Sequence, residues 1–161
     1  MDNDALLQRL SDIEAIKQVK ARYFRCMDQK NFDGWKQVFA RDAHLEVPEG
    51  NASVDGQQAI IDYVSGVLTG VRTVHHGHMP EIEITGPDSA SGIWAMFDYV
   101  EFPAAEGQPR QGLQGYGHYI EEYVREDGEW RIKSLLLTRL RIDPLDGGLP
   151  SAHQGVDSGH A

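Results

Sequence analysis

The spacing of apolar residues divides this chain into a helical first part and a second part made of β-strands. Before Gly70, apolar residues recur every three or four positions, which is typical of helices that bury one face. After Gly70 they alternate with polar residues, as they do in strands that bury one face of a sheet. This order predicts an α+β fold in which three helices pack on one side of a curved, mainly antiparallel sheet.

Three helices are predicted before Gly70. The first begins at a capping box formed by Ser11 and Glu14 and ends near Asp28. Tyr23 lies on its apolar face, and Asp28 lies about 140° around the helix axis from Tyr23, at about 100° per residue. Both side chains would therefore reach one pocket only if the helix end turned or frayed. The two later helices carry their buried residues at Trp35, Val38 and Phe39, and at Ile60, Ile61, Val64 and Leu68.

Two charged residues lie on otherwise apolar strand faces. In the predicted strand 93–102, Asp98 shares its face with apolar residues only, and in the strand 130–142 Arg139 shares a face with leucines. Burying an unpaired charge costs several kcal/mol, so each of the two needs a partner. The remaining predicted segments are strands at 42–47, 81–84 and 116–124, a loop at 103–112 and a hairpin turn at 126–129.

Length, charge and cysteine content limit the class of protein. The chain has 161 residues, which predicts one domain over residues 1–146, followed from Gly147 by a tail that we expect to be disordered. A net charge of −10 disfavours nucleic acid and anionic membrane surfaces as partners. No apolar run approaches the roughly 20 residues of a membrane span, and no signal-peptide pattern is present. With Cys26 as the single cysteine, a disulfide framework is excluded, and we expect a cytoplasmic protein.

The best candidates for chemistry are three histidines within four residues, His75, His76 and His78. Imidazole has an unperturbed pKa of about 6.5, so it takes up and returns protons near neutral pH. If strand alternation holds, His76 and His78 lie on the face opposite His75, and we interpret them as structural or solvent-facing. They could be two metal ligands, but the spacing shows no obvious third ligand, so no metal site is predicted.

The order of helices and strands resembles the SnoaL-like, or nuclear-transport-factor-2-like, superfamily. Within it, the chain looks most similar to the bacterial bile acid 7α-dehydratases. The resemblance extends over roughly residues 10–142 and is poor at 46–53 and 103–112. It implies a cone-shaped sheet that, with the three helices, encloses a pocket. Four segments carry it, at residues 11–28, 75–82, 94–98 and 123–133.

Carried over position by position, the resemblance implies that Tyr23, Asp28, His75, Asp98 and Arg139 are catalytic. It implies a cofactor-independent dehydration of a 7α-hydroxy-3-oxo-4-ene steroid, in which His75 removes a proton from C6 and hydroxide leaves C7. Tyr23 would donate to the 3-oxo oxygen, and Asp28 or Asp98 would orient the imidazole. Arg139 would pair with the remaining carboxylate or contact an acidic substrate tail. Further candidates for lining the pocket are Trp94, Tyr116 and His118.

Other interpretations stay open at this point. The same fold hosts many reactions, so an isomerase, a cyclase or a dehydrohalogenase acting on another ring substrate is an alternative. A non-catalytic ligand-binding or scaffold module is a second alternative. In it Tyr23 would be an ordinary core residue, and Asp98 with Arg139 would only fix the sheet. The resemblance further implies a homo-oligomer, commonly a trimer, and the substrate is either a free acid or a coenzyme A thioester.

Overall fold

A computed structural model of the protein describes residues 2–150. Three helices precede most of a six-stranded sheet, so the predicted α+β fold is confirmed. The helices are α1 (Asn3–Asp28), α2 (Phe32–Lys36) and α3 (Gln57–Leu68). The strands are β1 (Phe39–Val47), β2 (Ala52–Asp55), β3 (Arg72–Gly86), β4 (Ser89–Glu101), β5 (Gly112–Glu126) and β6 (Glu129–Pro144), with a short 3-10 turn, Pro48–Gly50, between β1 and β2.

The strands form one curved, unclosed sheet in the order β2-β1-β6-β5-β4-β3. All neighbouring strands are antiparallel except β1 and β6, which are parallel, so the sheet is mixed. Helix α1 packs against β3 and β6, and α3 packs against β1 and β2. The core lies between these helices and the inner face of the sheet, where Ile16, Trp35 and Ile132 are fully buried. A cone of this kind leaves a hollow at the end that the helices do not fill.

The predicted start of the first helix is wrong. Helix α1 begins at Asn3, eight residues before Ser11, and the side chain of Asp2 caps it by accepting a hydrogen bond from the backbone N–H of Asp4 (2.7 Å). The early turns are held to the sheet by the buried Asp12, whose Oδ1 accepts hydrogen bonds from Arg125 (2.8 Å) and the Trp130 indole (3.0 Å). The helix start is thus capped by Asp2, and Ser11 lies inside the helix.

Other element boundaries differ by a few residues. Val38 and Phe39 are buried as predicted, but they follow α2, and Phe39 is the first residue of β1. The short edge strand β2 lies in a stretch where no periodicity predicts a strand. The loop predicted at 103–112 is present, except that Gly112 already belongs to β5. Among the described helices none is long and apolar enough to cross a membrane.

The segment that follows β6 contacts the start of β5. The N–H of Gly147 donates to the carbonyl oxygen of Arg110 (2.8 Å), and the N–H of Gly112 donates to the carbonyl oxygen of Gly148 (2.9 Å). These bonds hold the segment against the start of β5. Residues 151–161, which make up most of the predicted disordered tail 147–161, lie outside the described part of the chain.

Candidate active site

A cavity of about 170 Å³ lies between α1, α3 and the inner face of the sheet. Its wall is mainly apolar, and Leu149 from the segment after β6 forms part of it. A concave apolar cavity with a few polar groups is the usual form of a small-molecule site. The polar side chains that line it are Tyr23, Glu49, Tyr63, His75, Asp98, Tyr119 and Arg139.

The imidazole of His75 is held by the carboxylate of Asp28. The alternation of β3 directs Thr73 and His75 to the inner face, where both are buried. His75 Nδ1 lies 2.6 Å from Asp28 Oδ1, and the backbone N–H of His75 donates to Asp28 Oδ2 (2.9 Å). The Thr73 hydroxyl adds a third hydrogen bond to Asp28 Oδ1 (2.9 Å). Ring and backbone of the histidine are therefore fixed by one carboxylate.

Asp28 reaches His75 without any fraying of the helix. Asp28 is the last residue of α1, and it approaches the imidazole from the helix side, outside the cavity wall. Tyr23, one and a half turns earlier, enters the cavity directly. Both side chains thus serve one site because the histidine lies between Asp28 and the cavity. The chain then turns sharply at Lys30 (φ 58°), whose ammonium donates to the Met27 carbonyl (3.2 Å) and the Thr73 hydroxyl (2.6 Å).

The pKa of Asp28 lies below its ordinary value. Burial raises this pKa, but the hydrogen bonds from the His75 ring, the His75 backbone and Thr73 outweigh the effect of burial. Asp28 is therefore an ionised carboxylate, which only accepts hydrogen bonds, so Nδ1 of His75 carries the proton of their shared bond. Nε2 is left as the basic nitrogen, and it has no hydrogen-bond partner within residues 2–150.

Two buried phenols, Tyr23 and Tyr119, line the same cavity. Burial raises the pKa of both hydroxyls well above the ordinary value, and the negative charges of Glu121 and Asp98 raise it further. Both groups therefore remain protonated and act as hydrogen-bond donors. Within the described chain, neither hydroxyl has a protein acceptor. Two donors are thus available to an oxygen atom of a ligand.

The two charged residues that the strand pattern singles out are partners of one another. The guanidinium of Arg139 forms a two-pronged ion pair with Asp98, with Nη1–Oδ1 at 2.6 Å and Nη2–Oδ2 at 2.8 Å. Its Nε donates to Oε1 of Glu49 (2.7 Å), on the 3-10 turn after β1. Gly115 leaves room for this pair, since a Cβ there would overlap Arg139 and Asp98. Asp98 is thereby engaged by Arg139, and Asp28 is the carboxylate that contacts the imidazole.

Burial lowers the pKa of Arg139, but the hydrogen bonds and charges of Asp98 and Glu49 outweigh it, and the pKa lies above its ordinary value. Arg139 therefore stays charged. Formal charges in the wall sum to −1, because one guanidinium faces two carboxylates. Within residues 2–150 there is no group of three or more His, Cys, Asp or Glu side chains placed to hold a metal ion.

The family of this chain is shown by a match to a known family model. A family model described as the SnoaL-like domain matches residues 8–135, which is most of the sequence. The chain belongs to the SnoaL-like family.

Several solved structures share the fold of this SnoaL-like protein, and three of them illustrate the range of names that such proteins carry. A protein of unknown function from Mycobacterium tuberculosis is 26% identical, with 84% of this chain and 76% of that chain covered at a TM-score of 0.70. A hexachlorocyclohexane dehydrochlorinase from Novosphingobium barchaimii LL02 is 24% identical, with 88% and 94% covered at 0.74. A candidate scytalone dehydratase from Novosphingobium aromaticivorans is 20% identical, with 84% and 88% covered at 0.74. These likenesses confirm the fold, and the predicted bile acid substrate stays a proposal.

Three residues predicted to line the pocket of the SnoaL-like domain lie elsewhere. Trp94 is on the inner face of β4 but outside the cavity wall, where its indole N–H donates to the Tyr123 hydroxyl (2.9 Å). Tyr116 and His118 lie on the outer face of β5, because side chains on one strand alternate between faces. The inner face of β5 instead presents Tyr119, which the resemblance does not mark.

Three polar residues of the cavity wall were not predicted from the sequence: Tyr63 on α3, Tyr119 and Glu49. Tyr119 lies on the same face of β5 as Glu121 and Tyr123, because alternate residues of a strand share a face. The burial of that face is the signal that could have identified Tyr119. Glu49 lies in a segment without periodicity, between two strands, so no sequence signal placed it in the cavity. The outer-face positions expected for His76 and His78 agree with the structure, where both are exposed and their rings contact one another.

Proposed function

We propose that this SnoaL-like protein is a cofactor-independent lyase that eliminates water, or another leaving group, from a hydrophobic ring substrate. The position of His75 is the observation that carries the proposal. Its ring lines an apolar cavity while Asp28 holds Nδ1, so Nε2 is the nitrogen available to a bound molecule. A fold neighbour named as a dehydrochlorinase and another named as a candidate dehydratase support a reaction of this type.

In the proposed reaction, Nε2 of His75 takes a proton from a carbon made acidic by a carbonyl group, directly or through a conjugated alkene. The electrons of that C–H bond form a carbon–carbon double bond, and the bond to the leaving group breaks. Where the leaving group is hydroxide, the imidazolium returns its proton to give water; where it is chloride, the proton is released separately. Asp28 stabilises the imidazolium between these steps. The scheme transfers no electrons to an acceptor, so it requires no cofactor.

The two phenols complete the proposed site. Negative charge develops on the carbonyl oxygen as the proton leaves, and a fixed hydrogen-bond donor at that oxygen lowers the barrier. Tyr23 is the donor that the family resemblance implies, and Tyr119 lines the same cavity with a protonated hydroxyl. We assign the oxyanion to Tyr23, with Tyr119 as a second donor.

The most specific form of the proposal is the dehydration of a 7α-hydroxy-3-oxo-4-ene bile acid, as the free acid or the coenzyme A thioester. The cavity volume of about 170 Å³ limits the size of the substrate that fits inside it. An engineered cavity of about 150 Å³ holds benzene, whereas pockets for larger ligands span about 300–1,000 Å³. A one-ring substrate therefore fits the cavity as it is, whereas a steroid would need space beyond this volume.

Elimination assays on substrates of two sizes test the proposal. The bile acid and its thioester would yield a 4,6-diene chromophore, and 3-hydroxycyclohexanone would yield an absorbing enone. We expect His75→Ala to reduce turnover of any accepted substrate at least about a hundredfold, since general-base catalysis is commonly worth 10²–10⁴. His76→Ala is the matched control, because this ring lies one residue further on the outer face. Turnover that survives His75→Ala would remove the histidine from the mechanism.

The proposal includes a homotrimer that forms through the outer face of the sheet. Apolar side chains are exposed on that face at Val74, Ile93, Ile120 and Leu140. Ile93 and Ile120 stand directly opposite each other on β4 and β5, so they form a continuous apolar surface. Sedimentation equilibrium should give three times the chain mass for the natural protein and a smaller mass for Ile120→Glu. A monomeric natural protein would contradict this part.

A further inference from the structure

The charged wall of the cavity contains an arginine that is already engaged by two acids. Arg139, Asp98 and Glu49 all line the cavity, and no other lining side chain in the described chain is formally charged. Asp98 takes both terminal nitrogens of the guanidinium, and Glu49 takes Nε. The side chains are only 14%, 4% and 16% exposed for Arg139, Asp98 and Glu49 respectively, so water screens them weakly.

This arrangement decides which ligand charges the cavity tolerates. An arginine in an apolar pocket is commonly the group that binds a substrate carboxylate. Here the charge of Asp98 is enough to neutralise the guanidinium. The additional carboxylate of Glu49 therefore leaves the wall with an excess charge of −1. A carboxylate ligand would lose its hydration and would meet this excess negative charge, both of which oppose binding. An uncharged ligand of the same shape meets neither penalty.

Glu49 is the residue that creates the excess. It is presented by the 3-10 turn Pro48–Gly50, which is followed by Asn51 in the left-handed conformation (φ 49°), so the backbone directs it inward at a sharp bend. Asp98, on β4, binds Arg139 whether or not a ligand is present. Without Asp98, the two terminal nitrogens of Arg139 would lose their hydrogen bonds to its carboxylate. Glu49 adds a single bond and a full negative charge.

We propose that the cavity selects uncharged one-ring substrates, and that Glu49 is the residue that excludes carboxylates. This inference rests on the proposed function in that it takes the cavity as the substrate site. It refines that function to neutral one-ring compounds.

A pair of ligands that differ only in charge tests the inference without turnover. Benzamide and benzoate have nearly the same shape and one ring each, which suits the cavity volume of about 170 Å³. Their dissociation constants are measured by calorimetry at pH 7 for the natural protein and for Glu49→Gln. The control is Glu46→Gln, which removes the same charge from a half-exposed side chain on β1 outside the cavity wall.

We expect the natural protein and Glu46→Gln to bind benzamide at least about ten times more tightly than benzoate, and Glu49→Gln to bring the ratio close to one. Glu49→Ala is measured beside it, in case the glutamine retains the contact with Arg139. Benzoate bound as tightly as benzamide by the natural protein would overturn the inference. So would an unchanged ratio in both Glu49 variants, or no binding of either ligand by the natural protein.

The elimination assay and the binding measurement can each overturn one proposal without overturning the other. A charge preference that depends on Glu49, found together with no turnover that depends on His75, would leave the selectivity standing and overturn the proposed reaction. Turnover that depends on His75, with equal binding of the two ligands, would do the reverse.

Discussion

Two of the acid–base pairs that connect helix α1 to the sheet differ in what surrounds them. Asp28 at the end of the helix holds His75, whose ring borders the cavity. Lys20, about two turns earlier, forms an ion pair with Glu121 on β5, and both side chains are completely buried. The first pair leaves one ring nitrogen open to a ligand. In the second pair, the charged groups are enclosed by protein on every side.

The enclosed pair is built into a network of aromatic groups. The ammonium of Lys20 lies 3.9 Å from the ring centre of Tyr23 and 3.7 Å from that of Tyr119. Tyr123 donates to the second oxygen of Glu121. Burial lowers the pKa of Lys20 to about 8, although the charge of Glu121 opposes this effect. Lys20 thus supports the two phenol rings of the cavity from behind, where cation–π attraction fixes their faces.

The comparison shows that access, rather than residue type, separates a chemical role from a structural one. Both pairs join a helix to a strand through a hydrogen bond that involves a carboxylate. Only the pair beside the cavity can exchange a proton with a bound molecule. Variants at the two pairs can separate the two roles.

Replacing Lys20 should produce the largest loss of stability. In Lys20→Met the carboxylate of Glu121 loses its only cationic partner among the described residues, and removing one member of a buried pair costs about 3–5 kcal/mol. Lys20→Met combined with Glu121→Gln should recover most of that free energy, because no buried charge is left. Urea denaturation measures both values. Lys17→Met, on an exposed turn of the same helix, is the control, and an equal loss there would contradict the structural role.

Replacing Asp28 should reduce turnover strongly and the free energy of unfolding only slightly. Asp28→Asn preserves the shape of the side chain, but the amide no longer enforces a proton on Nδ1 of His75, so we expect turnover to fall about a hundredfold or more. The free energy of unfolding should fall by less than about 2 kcal/mol, since the hydrogen bonds are partly retained. Asp33→Asn, an exposed aspartate on α2, should change neither quantity. A large loss of stability with normal turnover would reverse the assignment of roles.

The smallest expected effect is a difference in acid stability. The pKa of Asp28 is lower in the folded protein than its ordinary value of 3.8. The folded state therefore binds fewer protons at this group, and the contribution of Asp28 is complete above pH 3.8 and disappears as the pH falls through the folded pKa. The difference in unfolding free energy between the natural protein and Asp28→Asn should shrink below pH 3.8. Urea denaturation at a series of pH values from 5 to 2 measures it, and a constant difference would contradict the pKa assignment.

Residue spacing was sufficient to predict some of these features. Strand alternation marked Asp98 and Arg139 as charges that need partners, and they form one pair. Lys20 carried a similar signal, because it lies four residues after Ile16 and three before Tyr23, on the apolar face of the helix. Its partner Glu121 lies between Tyr119 and Tyr123 on a buried strand face.

Other features depend on contacts between distant segments, which spacing does not contain. The burial of Asp12 depends on Arg125 of β5 and Trp130 of β6, and the contact of Asp28 with the imidazole depends on His75 of β3. Glu49 enters the cavity from a turn without periodicity. The choice between Asp28 and Asp98 as partner of the imidazole likewise required the positions of α1 and β3.

The most direct test of the central claim measures proton removal alone. A one-ring ketone such as cyclohex-2-enone is incubated with the protein in D₂O, and exchange of its acidic C–H protons is followed by NMR, so that no leaving group is needed. We expect that the natural protein and His76→Ala accelerate the exchange and that His75→Ala does not. Equal exchange rates in His75→Ala and the natural protein would contradict the assignment of His75 as the base.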